Sequence, residues 1–209
     1  MTTAGAVGAD GEGPGRRRGR RPAGEDTRAA IVTAARTEFA QRGYEGATLR
    51  GIARAAGVDA RLVHHYFDGK DDIFVAAMQL PVRPQDIVAR VVAGGVDGIG
   101  ERLLRFFFAV WDTPEGRERI VALLSSVLAS EAGARMIKEF LTREIFGRVV
   151  AAIGGPDPEL RAALAASQMV GLIMMRYVVK LEPLASADPD DFIPVVAPVM
   201  QRYLGGEFS

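Results

Sequence analysis

The sequence predicts an all-α protein built as two helical domains, a small N-terminal one around a helix-turn-helix and a larger C-terminal one. Three observations carry that prediction. Apolar residues recur at three- and four-residue spacing along most of the chain. Glycine and proline interrupt them at intervals of about one helix length. No polar–apolar alternation long enough for a useful strand occurs. With 209 residues, 48% of them hydrophobic, the chain can bury a sizeable core and should be globular over most of its length.

Composition narrows the function classes. There is no cysteine, which excludes disulfides and thiolate metal sites. The first fifteen residues lack the apolar segment of a secretory signal, and apolar runs such as 169–175 fall well short of the ~18 residues that a membrane helix needs. The expectation is a soluble, cytoplasmic protein. Formal charge is zero, but residues 16–70 carry twelve basic side chains against six acidic ones, which the rest of the chain balances. A basic N-terminal third on an acidic body fits a polyanion-binding module attached to a part with another task.

Residues 1–24 are Gly-, Ala-, Pro- and Arg-rich with little apolar bulk and are expected to be a disordered arm. Its cluster Arg16, Arg17, Arg18, Arg20 and Arg21 reads either as a solubilising tail or as an arm that touches phosphates or a minor groove. Asp26 or Thr27 can cap a helix over 28–41, with Ile31, Ala35 and Phe39 on one stripe and Gly43 as its stop.

Two short helices follow, and neither would be stable alone. Thr48 caps the first, on which Leu49, Ile52, Ala53 and Ala56 recur at helical spacing, and Gly57 supplies a turn with positive φ. Asp59 caps the second, which carries Val63, Tyr66 and Phe67. Together they form a helix-turn-helix whose core takes Ile31, Phe39, Leu49, Ile52, Val63 and Phe67. With Val63 inward, a step of ~100° per residue places Arg61 and His65 on the opposite face, flanked by Leu62 and His64. Arg61 and His65 are the expected base readers, and His64 and Tyr66 suit phosphates. Adjacent histidines diverge on a helix, so His64 and His65 do not make a metal site. Asp68 is the expected cap of a helix from about 69 to 80, and Thr48 and Lys70 are candidate phosphate clamps.

The run TLRGIARAAGVDARLVHHYFDGKDDIF is similar to the DNA-binding signature of the tetracycline-repressor-like (TetR) family of transcriptional regulators, T-x-x-x-I-A-x-x-A-G-V-S-x-G-x-L-Y-x-Y-F-x-x-K-x-x-L. The resemblance covers about residues 27–78. Asp59 stands where the family usually has Ser, Arg61 where a small residue is common, and His64 where Tyr is general. Asp59 keeps a cap and His64 keeps a polar ring. Arg61 adds a charge to the reading face, so an operator sequence does not carry over from relatives. The candidate DNA contacts are therefore the five arm arginines, Thr48, Leu49 and Arg50 on the first short helix, and Ala60, Arg61, Leu62, His64, His65, Tyr66 and Lys70 around the second.

The expected domains are the arm at 1–24, the helix-turn-helix domain at 25–70, a connecting helix and hinge at 71–84, and a helical effector-binding and dimerisation domain at 85–209. Helices in the last are expected at roughly 85–93, 98–111, 115–129, 133–153, 158–180 and 190–204. Breaks fall at Gly94-Gly95, Asp112 to Pro114, Gly154 to Pro156 and Pro183 to Pro189. Aromatic and methionine side chains on three of these helices suit an apolar pocket oriented by a few polar groups. Its candidate effector contacts are Phe107, Phe108, Trp111, Phe140, Glu144, Gln168, Met169, Leu172, Met175 and Arg176. The helix from Ala162 is apolar nearly all round and the last helix repeats this pattern. Both are expected to pack on a twofold copy through Leu164, Gly171, Met174, Val195, Val199 and Met200.

The expected function is a dimeric, ligand-responsive regulator, usually a repressor in the resembled family, that releases a pseudo-palindromic operator when a small apolar effector binds. The alternative is a DNA-binding regulator with no effector. An enzyme is not expected: both histidines sit in the DNA reader, and no base, oxyanion loop or phosphate-binding glycine motif accompanies the serines and carboxylates. No cofactor or metal is expected.

Overall fold

The structure, a computed structural model, describes residues 23–206. Their regular elements are all helical: α1 (Ala23–Gly46), α2 (Leu49–Ala56), α3 (Ala60–Tyr66), α4 (Lys70–Met78), α5 (Pro84–Val92), α6 (Ile99–Trp111), α7 (Pro114–Leu128), α8 (Glu131–Phe140), α9 (Gly147–Ile153), α10 (Pro158–Ile173) and α11 (Pro189–Gly205). Leu141–Phe146 and Met174–Val178 are π-helical stretches that continue α8 and α10.

Local chemistry sets the helix ends. The Thr48 hydroxyl accepts from the Gly51 N–H at 3.0 Å, and an Asp59 carboxylate oxygen accepts from the Arg61 N–H at 2.7 Å. Gly57, at φ 68°, closes α2 in the left-handed region and donates back to Ala53 and Arg54. Two expectations change. α1 starts at Ala23, so Glu25 and Asp26 lie in its first turn, complementing the helix dipole, and Asp26 and Thr27 do not precede it as caps; its regular part ends at the expected Gly43, where the backbone leaves the helix before a last short turn to Gly46. Gly43 still turns the chain, at φ 73°. Gly69, not Asp68, precedes α4, and the contact runs the other way: the Asp68 N–H donates to the Asp72 carboxylate at 3.3 Å. In α11 the first-turn proline is Pro189, while Pro194 and Pro198 both sit inside a continuous helix on its exposed face.

The C-terminal helices fall close to their expected bounds, apart from the two π-helical stretches. The helix over 131–153 has a π-helical interior, in which the Gly147 N–H donates to the Thr142 carbonyl. A Cβ at position 147 would stand 2.4 Å from that carbonyl, so the wide turn requires glycine there.

The described residues form two cores. Val91, Ile99, Leu104, Phe108, Ala165, Ile193, Met200 and Leu204 centre the C-terminal one, where α6 and α11 pack closely enough that a Cβ on Gly100 would lie 2.5 Å from the Gln201 nitrogen. The N-terminal core holds Ile31, Phe39, Tyr44, Ile52, Val63 and Phe67 from α1 to α3. It also takes Ile73 and Phe74 from α4, and Met136, Ile137 and Phe140 from α8. The three-helix head is therefore completed by side chains from elsewhere. Phe140 stacks on Phe74 with ring centroids 4.3 Å apart and meets Tyr44 edge-on.

Candidate nucleic-acid interface and cavity

On α3, buried Val63 locks the helix into the core, and Arg61, Leu62, His64 and His65 are exposed around it. This is the face the helical projection predicts. Leu62 is 36% exposed, an apolar group offered outward in a row of polar ones. Ala60 and Tyr66 are half-buried at the helix ends, and the His65 and Tyr66 rings meet edge-on at 5.1 Å. On α2, Thr48 is occupied as the cap, Leu49 is half-buried and Arg50 is exposed. Arg54 is exposed one turn beyond Arg50 and shares its face, a relation that the i,i+4 spacing shows and the sequence reading left out. Arg28, also left out, lies over the Phe67 ring at 5.0 Å. Arg16, Arg17, Arg18, Arg20 and Arg21 lie outside the described residues.

Lys70 is placed differently from the phosphate clamp expected of it. Its ammonium donates to the carbonyls of Glu45 and Ala47, at 3.3 and 3.2 Å, and sits 4.7 Å from the centre of the Tyr44 ring. Burial, and then Arg143, lower its pKa. In this arrangement its charge braces the turn between α1 and α2.

A cavity of about 180 Å³ opens between the C-terminal helices and the end of the head domain. Of the ten candidate effector contacts, Phe107, Trp111, Phe140 and Met169 line it. The other six do not. Phe108 points to α11 and meets Phe192 edge-on at 5.0 Å. Gln168 is half-buried and Leu172 is a core residue. Met175 is 39% exposed. Glu144 accepts from the Tyr44 hydroxyl at 2.8 Å and pairs with Arg148.

Arg176 belongs to a polar knot: its Nη2 donates to Asp112 at 3.0 Å and its Nη1 to the Leu184 carbonyl. Asp112 also accepts from Arg117 and from the Tyr177 hydroxyl, each at 2.9 Å. Burial alone would raise the Asp112 carboxyl, but the hydrogen bonds from Arg117, Arg176 and Tyr177 outweigh it and hold the carboxyl below its ordinary range. An open cleft between α7 and the 180–186 loop runs alongside this knot.

Phe106 of α6 and Phe146 of the π-helical stretch, both in the expected aromatic set, also line the cavity, and the lining that the sequence reading missed includes Leu80, Val82 and Pro84 from the hinge and Ile145 from the π-helical stretch. None carries a sequence signal beyond apolar helical spacing. Aside from the Trp111 indole N–H and the weakly accepting Met169 thioether, the lining side chains have no hydrogen-bonding group.

Of the residues expected between two copies, Val195 is 73% and Val199 42% exposed; Gly171 is exposed, and Leu164 and Met174 are half-buried. Met200 is 0% exposed because it faces its own core, so it is removed from that face. Met175, Val178 and Val179 join the exposed apolar set instead. Among the described residues, no group of three or more His, Cys, Asp or Glu is placed to hold a metal, and no helix is long and apolar enough to cross a membrane.

Comparison with known proteins adds two matches to family sequence models. Residues 31–77 match that of bacterial regulatory proteins of the tetR family, and residues 97–204 match the tetracyclin repressor-like C-terminal domain. The HTH-type transcriptional regulator BetI of Agrobacterium fabrum is 27% identical over 169 residues, 77% of this chain and 81% of that protein. The HTH-type transcriptional repressor AcnR of Corynebacterium glutamicum is 39% identical over 51 residues, 24% of this chain and 27% of that protein. A crystal structure of a TetR-family regulator from Streptomyces coelicolor A3 is 40% identical, with 89% of this chain and 98% of that one covered and a TM-score of 0.45.

Proposed function

The chain belongs to the TetR family of helix-turn-helix transcriptional regulators, and from that membership we propose that two copies grip a pseudo-palindromic operator through α3 and release it when a small apolar molecule fills the C-terminal cavity. The observation that carries this reading is the exposed row Arg61, Leu62, His64 and His65 on a helix anchored by buried Val63. Arg61 can make a bidentate bond to guanine, and Leu62 offers an apolar contact for a thymine methyl. In this reading Thr48, Arg50, Arg54, His64 and Tyr66 contact phosphates.

The exposed apolar faces of α10 and α11 suit a twofold four-helix contact, and two linked readers match two half-sites one helical turn apart. The cavity favours an effector-controlled protein over a constitutive one, since a void of this size is one that a ligand can occupy. A protein of this kind acts as a repressor, in the compartment that holds the DNA.

Fluorescence anisotropy on the DNA flanking its own gene tests the reading. Specific binding is expected, weakened ~5- to 150-fold by Arg61→Ala. Absence of any specific complex at low salt, with Arg61→Ala also silent, would sink it. Val195→Asp is expected to yield monomers in sedimentation equilibrium, and an unchanged dimer would remove α11 from the interface.

A further inference from the structure

The cavity and the DNA-binding head share a wall. Phe140 lines the cavity, and its ring also stacks on Phe74 of α4, 4.3 Å between centroids, and meets Tyr44 at the end of α1. The Phe140 ring, with Ile137 one turn before it, therefore forms the wall between the void and the core that holds the helix-turn-helix. The turns on either side alternate in the same way. Ile137, Leu141 and Ile145 face the cavity, while Glu139 accepts from the Glu45 N–H, Arg143 pairs with Glu45, and buried Glu144 accepts from the Tyr44 hydroxyl at 2.8 Å. Leu141, Arg143, Glu144 and Ile145 lie on the π-helical stretch that directly follows Phe140, and its wide turn depends on Gly147. Such a turn has an α-helical alternative with a different side-chain register.

The lining decides the class of ligand. Five aromatic rings, Phe106, Phe107, Trp111, Phe140 and Phe146, face the void, and no lining side chain is charged. A cation would gain ring attraction there but would lie without a counterion, because the nearest buried acid on this segment, Glu144, is held by Tyr44 and Arg148. An anion would meet no donor but the indole N–H. Size adds a further condition. An apolar cavity of ~150 Å³ accepts benzene, so about 180 Å³ takes one ring with the walls in place. A second ring gains its contacts only if a wall moves.

Resting on the ligand-responsive reading above, we infer that the cavity takes a neutral, hydrocarbon-like ligand of more than one ring, that Phe140 senses it, and that the Tyr44–Glu144 hydrogen bond is the latch released when Phe140 moves. A ligand that binds the displaced arrangement better shifts the population toward it, and the head is then held less firmly at the end of α1.

Three probes of graded chemistry test this on the full chain: iodobenzene, 1-iodonaphthalene and the cation benzyltrimethylammonium. Trp111 is the sole tryptophan and lines the cavity, so heavy-atom quenching of its emission reports the iodinated probes. Benzyltrimethylammonium is followed by its competition against them. Amide hydrogen exchange over residues 43–66 reports the head.

The proposal expects both iodinated compounds to bind, but only the two-ring one to speed exchange. Tyr44→Phe, which leaves the cavity lining intact but removes the latch, should bind 1-iodonaphthalene more tightly than wild type, by up to about tenfold. Its exchange over 43–66 should already be roughly tenfold faster without ligand, with little further response. Phe140→Leu should bind 1-iodonaphthalene more tightly, because it makes room, and should lose the exchange response. If wild type and both variants respond equally, the Phe140 and Tyr44–Glu144 route is overturned while ligand response stands. If benzyltrimethylammonium displaces the probes, or alone alters exchange, the ligand class is overturned. If none of the three binds, the effector reading fails with it.

Discussion

Replacing Asp112 by alanine should be among the most costly single changes available in the C-terminal domain, and the structure sets its size. Asp112 meets three donors in unequal surroundings. Arg176, with a side chain 3% exposed, would be left as a buried cation whose counterion is gone. That loss corresponds to ~3–5 kcal/mol. Tyr177 would lose the acceptor of a partly buried hydroxyl, about 1 kcal/mol. Arg117 is half-exposed, so water takes over its solvation and its share is at most ~1 kcal/mol. The three act on one carboxylate and do not add, which leaves ~3–5 kcal/mol, or about 10 °C in Tm. Urea unfolding followed by far-ultraviolet circular dichroism measures it. The double variant Asp112→Ala with Arg176→Met should recover part of the loss, because it removes the stranded charge as well as its partner. A cost below ~1 kcal/mol for Asp112→Ala, or a double variant worse than the sum of the singles, would refute the assignment of this knot as the bond between the α6–α7 turn and the end of α10.

The same carboxylate sets a pH dependence. Its folded pKa lies below the ordinary 3.8, so its contribution is present above that value and is lost as pH falls through the folded one. The stability gap between wild type and Asp112→Asn should therefore be constant from pH 7 to about 5 and narrow below pH 4 in urea titrations. Gly100→Ala should cost ~1–3 kcal/mol in the same assay, since its Cβ would come within 2.6 Å of the Ala197 carbonyl and the α6–α11 backbones would have to separate. Lys70→Met should leave the salt slope of DNA binding unchanged, because its ammonium is turned onto the Glu45 and Ala47 carbonyls. Arg54→Ala should lower that slope by about one.

These cases show which features the sequence exposes. Thr48, Gly57 and Asp59 act on partners within four residues, so their roles follow from residue type and position alone. The exposed face of α3 is legible for the same reason: once Val63 is inward, helix geometry places Arg61 and His65. Lys70 shows where this stops. Its local signal, a cation at a helix start beside the reader, points outward, while carbonyls more than twenty residues earlier in the chain turn it inward. Phe140 is more remote still, since its partner Tyr44 lies nearly a hundred positions away, and apolar spacing on α8 is satisfied equally by either core.

The cavity is harder to read because a void has no residue type of its own. Phe107 and Phe108 are adjacent, identical and on one helix, yet the first lines the cavity and the second fills the core against Phe192. A turn of about 100° separates them, and nothing within the helix says which direction leads to empty space. Polar groups mislead here as well. Arg176 and Glu144 are the kind of residues that orient ligands, but burial requires each to have a partner, and Asp112 and Tyr44 supply them inside the fold. Pairing these two residues internally leaves the void lined almost wholly by hydrocarbon. Its chemistry is therefore set by where the polar side chains were not needed, a property of the packed whole that no single helix contains.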